Sequence, residues 1–134
     1  MDKPKSIIFV CLGNICRSPL AEGVAKEYVK KHNLDIKIES AGTGSWHIGE
    51  PPCDNSIKVA KQNGIDISKQ RAQQINKQLI EEFDLIVALD GKNYSDLKSL
   101  GAKPLKLGDF GFEGQDVPDP TSFQDLKGLI RFFL

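Results

Sequence analysis

The sequence predicts a single-domain α/β fold, with a central four-stranded parallel sheet flanked by helices on both faces. Two apolar runs of strand length are continuous rather than alternating, as in strands buried on both sides. Segments with helical spacing separate the strand-like runs one by one, and glycine or asparagine closes three of those segments. Alternating strands and helices of this kind build a parallel sheet between two helical layers.

The first strand is Ser6–Cys11 (SIIFVC), apolar and rich in β-branched residues. A glycine-containing turn, LGNIC, leads to Ser18-Pro19, which reads as N-cap and first helical residue. The helix extends to about His32, with Leu20, Val24 and Tyr28 at four-residue steps and Ala21, Ala25 and Val29 beside them, and Asn33 ends it. Ile36–Ser40 alternates as a second strand, and the Gly/Pro-rich stretch Ala41–Pro52 is a loop. A second helix runs to about Asn63 and is closed by Gly64, and Gln74–Glu82 forms a short third one. Asp84–Leu89 is a buried third strand, Lys92–Leu100 a helix ended by Gly101, and Pro104–Leu107 a short fourth strand. A long loop, Gly108–Thr121, precedes a last helix that places Phe123, Leu126, Ile130 and Phe133 on one face.

Composition narrows the function. A chain of 134 residues buries a core of its own without covalent staples. Apolar residues make up 40% and charged residues 27%, which is ordinary for a globular protein. Lys+Arg and Asp+Glu both total 18, so there is no one-sided basic field of the kind that nucleic acids or membrane surfaces require. The apolar run near the N-terminus is too short for a signal peptide, and no stretch reaches the ~18 residues of a membrane span. Three cysteines form no paired framework, which points to the reducing cytoplasm. Cys53, beside Pro52 and Asp54 at a helix start, has no partner visible in the sequence. His32 and His47 lie far apart without ligand spacing, so neither a metal nor another cofactor is expected.

The chemistry is concentrated between the first strand and the first helix, in Cys11-Leu12-Gly13-Asn14-Ile15-Cys16-Arg17-Ser18. A loop of this length turns its backbone N–H groups inward as an anion nest, and the following helix N-terminus adds about half a positive charge at the same place. This is a phosphate-binding loop. Arg17 supplies a planar fork for two phosphate oxygens. Such surroundings lower a thiol pKa from about 8.5 into the range of roughly 3.5–7.5, so Cys11 is expected as a thiolate nucleophile, with Ser18 donating a hydrogen bond to its sulfur. A phosphate ester with a poor leaving group additionally needs an acid, and a carboxylate on the Gly/Pro loop is its natural carrier. Asp116 and Asp119 are equivalent on spacing alone.

The string CLGNICRSP resembles the active-site loop of the low-molecular-weight protein tyrosine phosphatases. The resemblance continues through SAGT at Ser40–Thr43, IGEPP at Ile48–Pro52, ALD at Ala88–Asp90 with Asn93, and VPDP at Val117–Pro120. It implies that Cys11 forms a phosphocysteine, that Arg17 binds phosphate and the transition state, and that Asp119 is the general acid and then the base. It further implies that the loop from Leu12 through Cys16 surrounds the substrate, that Asn14, Ser18 and Ser40 hold that loop open, and that Trp46 walls the pocket. From the residues alone, Trp46 fits either a pocket wall or a cap on the core, and Cys16 either a small buried hydrophobe or a redox partner of Cys11; the resemblance favours the second role for Cys16. Ile15, apolar where phosphoarginine-cleaving relatives carry threonine, favours an aromatic substrate.

Departures from the family pattern are Thr121 and Ser122 where aromatics usually stand, Gln70 and Gln73 in place of a histidine and an arginine, and a short C-terminus. The expected substrates are tyrosine-phosphorylated proteins, with a cognate tyrosine kinase as partner. Two alternatives use the same loop. An arsenate reductase needs further relay thiols, and no cysteine follows Cys53; a non-catalytic phosphotyrosine-binding module needs no acid.

Overall fold

The computed structural model describes residues 5–11, 17–44, 47–89 and 91–106. Its elements in chain order are β1 (Ser6–Cys11), α1 (Arg17–Lys31), β2 (Lys37–Gly42), α2 (Asp54–Gln62), α3 (Lys77–Glu82), β3 (Leu85–Ala88), α4 (Gly91–Ser99) and β4 (Leu105–Lys106). The strands are parallel in the order β2-β1-β3-β4, with β4 only two residues long. The long loop and last helix expected beyond Leu107 lie outside the described residues.

The alternating faces of β1 divide the core in two. Ile7, Phe9 and Cys11 point to the side covered by α1 and α2, where they meet Leu20, Val24, Ala60 and Ile67. Ile8 and Val10 point to the other side, against Phe83, Leu97 and the partly buried Leu79 and Ile80 of α3. A strand flanked by apolar neighbours on both faces has no place for a polar side chain, which explains the uninterrupted SIIFVC run.

Three helices end by the same device. Asn33, Gly64 and Gly101 have φ of 53°, 77° and 90°, following α1, α2 and α4 in turn. In each case the next residue donates back to the helix: Leu34 to Val29, Ile65 to Ala60 and Ala102 to Leu97, at 2.9–3.0 Å. This is the double back-bond that satisfies the last carbonyls of a helix and requires a left-handed residue.

Three local expectations change. Helix α1 begins at Arg17, so Ser18 lies inside the first turn and its hydroxyl turns toward Cys11. Helix α3 begins only at Lys77, because Asn76 caps it by accepting from Leu79 N–H at 2.8 Å, while Gln74 forms a bridge to Gly42 in extended conformation. Strand β2 runs on to Gly42, where Gln73 and Ile75 hold its end. Cys53 also departs from its reading: it is disulfide-bonded, and Cys11 is the free cysteine among the described residues.

At Gly23 the side chain of Ile67 packs tightly against α1. A β-carbon there would stand 2.5 Å from Ile67 Cγ2, and Ile67 is itself buried. Gly23→Ala gains up to about 1 kcal/mol of helix propensity but overpacks the core, at a cost of about 1–3 kcal/mol. Urea unfolding is expected to show a net loss of stability, which the double variant Gly23→Ala/Ile67→Ala relieves relative to Ile67→Ala alone.

Candidate active site

Cys11 is the last residue of β1, at the carboxyl end of the sheet, and is nearly fully buried. Its strand lies between β2 and β3, and the connection after β1 leads to β2 on one side while that after β3 leads to β4 on the other. Helix α1, which follows β1, packs on one face, and α4, which follows β3, packs on the other. The crevice where the order reverses is the place at which open α/β sheets bind ligands.

The sulfur is held on the α1 side. Cys11 Sγ lies 2.9 Å from Ser18 Oγ, and the same hydroxyl is 3.5 Å from the Ala41 carbonyl oxygen. Ser18 is completely buried, so no water competes for this contact. With sulfur ionised, the hydroxyl proton has one strong acceptor within reach, and that hydrogen bond is charge-assisted. Arg17 opens α1, partly exposed, one residue before Ser18. The first turn contains no acidic side chain, so the positive end of the helix is not neutralised locally.

Ser40 belongs to a second layer of polar contacts. It is buried, and its hydroxyl donates to Glu22 Oε1 at 2.5 Å, while Lys26 Nζ lies 2.6 Å from Glu22 Oε2. Glu22 is a buried carboxylate on α1, neutralised by its i+4 lysine and a hydroxyl. Sequence reading missed it. The signal was a lone acid among Leu20, Ala21, Val24 and Ala25, with a lysine one turn later.

The two glutamines that depart from the family pattern both support this layer. Gln70 Nε2 donates to the Pro19 carbonyl at 3.2 Å, in the first turn of α1. Gln73 Nε2 donates to the Ser40 carbonyl at 2.9 Å and lies 3.2 Å from Glu39 Oε1. Neutral amides thus bridge the loop over 70–73 to both α1 and β2.

The structure therefore brings together Cys11 and Ser18, with Arg17 and Ser40 on the adjoining segments. The remaining predicted residues, Leu12, Gly13, Asn14, Ile15, Cys16, Trp46 and Asp119, lie outside the described residues, as does Asp116. Among the described residues no cluster of His, Cys, Asp and Glu is arranged to hold a metal, and no helix is long and apolar enough to cross a membrane.

Comparison with known proteins agrees with this geometry. Residues 6–128 match the family model for low molecular weight phosphotyrosine protein phosphatase. The low molecular weight protein-tyrosine-phosphatase PtpA of Staphylococcus aureus is 38% identical over 134 aligned residues, covering 96% of this chain and 86% of the relative. Among solved structures, YfkJ from Bacillus subtilis superposes with a TM-score of 0.84 at 36% identity, covering 97% of this chain and 89% of that one. The low molecular weight protein tyrosine phosphatase from T. tengcongensis superposes with a TM-score of 0.86 at 30% identity, covering 96% of each chain. A strand ending in a buried cysteine, a serine hydroxyl against its sulfur and a match along almost the whole length lead to one assignment: the chain belongs to the low-molecular-weight protein tyrosine phosphatase family.

Proposed function

We propose that this chain is a single phosphatase domain that hydrolyses phosphotyrosine monoesters through a phosphocysteine, with Cys11 as nucleophile, Arg17 as phosphate clamp and Asp119 as general acid and base. The observation that carries the reading is the buried Cys11 sulfur 2.9 Å from Ser18 Oγ at the start of α1. In the first step the thiolate attacks phosphorus, the bond to the tyrosyl oxygen breaks, and Asp119 gives its proton to that oxygen. In the second, Asp119 takes a proton from water, the oxygen attacks phosphorus, and the sulfur leaves as thiolate with release of inorganic phosphate. Splitting the reaction lowers each barrier, and the guanidinium and helix N-terminus supply the positive charge that a metal would otherwise bring.

The loop from Leu12 through Cys16 surrounds the phosphate in this reading, Ser40 supports it, and Ile15 with Trp46 selects an aromatic ester. The substrates are tyrosine-phosphorylated proteins, so a tyrosine kinase is the class of enzyme that supplies them. The cytoplasm is the compartment that keeps the Cys11 thiol reduced.

Hydrolysis of para-nitrophenyl phosphate and of a phosphotyrosyl peptide in the presence of EDTA tests the reading; absence of both activities in the folded wild type refutes it. Ser18→Ala then probes the sulfur contact. Because the hydroxyl stabilises sulfur as a leaving group, the variant is expected to lose about 10–100-fold in turnover, the worth of one charge-assisted hydrogen bond. The loss falls mainly on the second step, so rapid-quench sampling finds phosphocysteine accumulating. Equal slowing of both steps would assign Ser18 a different role.

A further inference from the structure

Polar contacts at the end of β1 form a closed ring whose side-chain members have no part in the mechanism above. Strand β1 lies between β2 and β3. Thr43 follows β2 by one residue, and its N–H donates to the carbonyl of Cys11 at 3.0 Å. On the opposite flank Leu89, just past β3, donates its N–H to the carbonyl of Val10 at 3.1 Å. The last two carbonyls of β1 are thus held from both sides.

A side-chain bond closes the ring. Thr43 Oγ1 donates to Asn93 Oδ1 at 3.2 Å. Asn93 stands in the first turn of α4 and is almost completely buried. Neighbouring strands in a sheet lie about 4.8 Å apart, so the strands flanking β1 are separated by about 9.6 Å. Residues just beyond them can meet only by crossing the end of β1, where Cys11 sits. Thr43 is braced from outside as well: Gln74 Nε2 lies 3.4 Å from its carbonyl, and Gly42 before it is held between the Gln73 carbonyl and the Ile75 N–H, both at 2.8 Å.

We infer that Thr43 and Asn93 form a clasp across the end of β1 that positions the nucleophile, and that Asn93 is a positioning residue for the first chemical step. The inference rests on the phosphatase reading of the site. Its logic is mechanical: the peptide unit leaving Cys11 is planar, so fixing the Cys11 carbonyl fixes the direction in which the chain departs and steadies the backbone frame from which the sulfur projects. The 2.9 Å contact to Ser18 and the approach to phosphorus both depend on that frame. A shift of ~1 Å in a reacting group can cost about 100-fold in rate, and loosening one of several restraints gives a part of that. Because the clasp touches Cys11 from behind rather than the substrate, the loss belongs to kcat and not to KM.

The experiment uses the full chain and para-nitrophenyl phosphate. Thr43→Val removes the hydroxyl without changing side-chain shape, Asn93→Leu removes the acceptor, and Thr43→Ser keeps the hydroxyl. Thr43→Val and Asn93→Leu are each expected to lower kcat about tenfold, or 1.4 kcal/mol, with KM nearly unchanged. The rapid-quench rate of phosphocysteine formation should fall by the same factor. The double variant should be no slower than the worse single one, because the bond can be lost only once. Thr43→Ser should restore most of the rate.

A Thr43→Val enzyme with wild-type kcat overturns the inference, as does a loss appearing in KM, a multiplicative double variant, or a Thr43→Ser enzyme as slow as Thr43→Val. If Asn93→Leu does not fold, the valine and serine pair at Thr43 still decides. An inactive wild type would instead refute the phosphatase reading, so the two failures are distinguishable.

Discussion

Cys11→Ser is expected to lower the hydrolysis of para-nitrophenyl phosphate by about 10⁴-fold or more, which is at least ~5.4 kcal/mol of transition-state stabilisation. The exchange alters one atom in a buried, well-packed position, so folding should survive. What changes is the nucleophile. Sulfur is the better nucleophile and leaving group at phosphorus, whereas an aliphatic hydroxyl stays protonated at neutral pH. A serine nucleophile then needs an adjacent base. Neither histidine of the chain serves: His32 stacks on Tyr28 at the far end of α1, with ring centroids 4.2 Å apart, and His47 bonds Glu50 at 2.6 Å on the surface. The phosphate cradle itself is unaltered, so the variant should still be protected by inorganic phosphate against thermal unfolding, with the same concentration dependence as wild type. Residual turnover above roughly 1% of wild type, a loss of less than ~2.7 kcal/mol, would mean that another group attacks phosphorus.

That prediction was available from sequence because its physics is local. A strand end, five residues and a helix start fix Cys11 and Arg17 within one short stretch, and periodicity alone located both flanking elements. The left-handed helix stops at Asn33, Gly64 and Gly101 were legible for the same reason. Contacts between distant segments were not. Glu22 meeting Ser40, Gln73 reaching back to β2, and Thr43 joining Asn93 have sequence separations of 18, 33 and 50, and no local pattern encodes them. The start of α3 was misplaced because apolar spacing over Gln74–Glu82 fits a helix throughout. The helix instead starts three residues later at Lys77, capped by Asn76, and Gln74 is drawn to the end of β2. Ser18 illustrates a competition that sequence cannot resolve: as a cap its oxygen would accept from an N–H of its own helix, but inside the first turn the buried hydroxyl lies against the Cys11 sulfur instead.

Asp119→Ala is expected to reduce kcat toward a phosphotyrosyl peptide by about 10²–10⁴-fold, the range of general acid catalysis, while Asp116→Ala leaves kcat nearly unchanged. Both carboxylates sit in one Gly/Pro-rich segment three residues apart, so the pair controls for changes in loop charge. The argument turns on the leaving group. Tyrosine has a pKa near 10, so its oxygen departs poorly as a phenolate and needs a proton in the transition state. A nitrophenol is far more acidic and leaves with less help, so Asp119→Ala should cost much less on para-nitrophenyl phosphate than on the peptide. Uniform damage to the loop would lower both substrates equally. The pH profile gives a second check: where the general acid loses its proton, wild-type turnover declines with rising pH, and that limb should flatten in Asp119→Ala. The buried acid already visible in the fold, Glu22, cannot take over, because Ser40 and Lys26 occupy its two oxygens. Equal losses in the two alanine variants, or a loss in Asp119→Ala that ignores leaving-group acidity, would move the proton transfer to another residue and leave the roles of Cys11 and Arg17 intact.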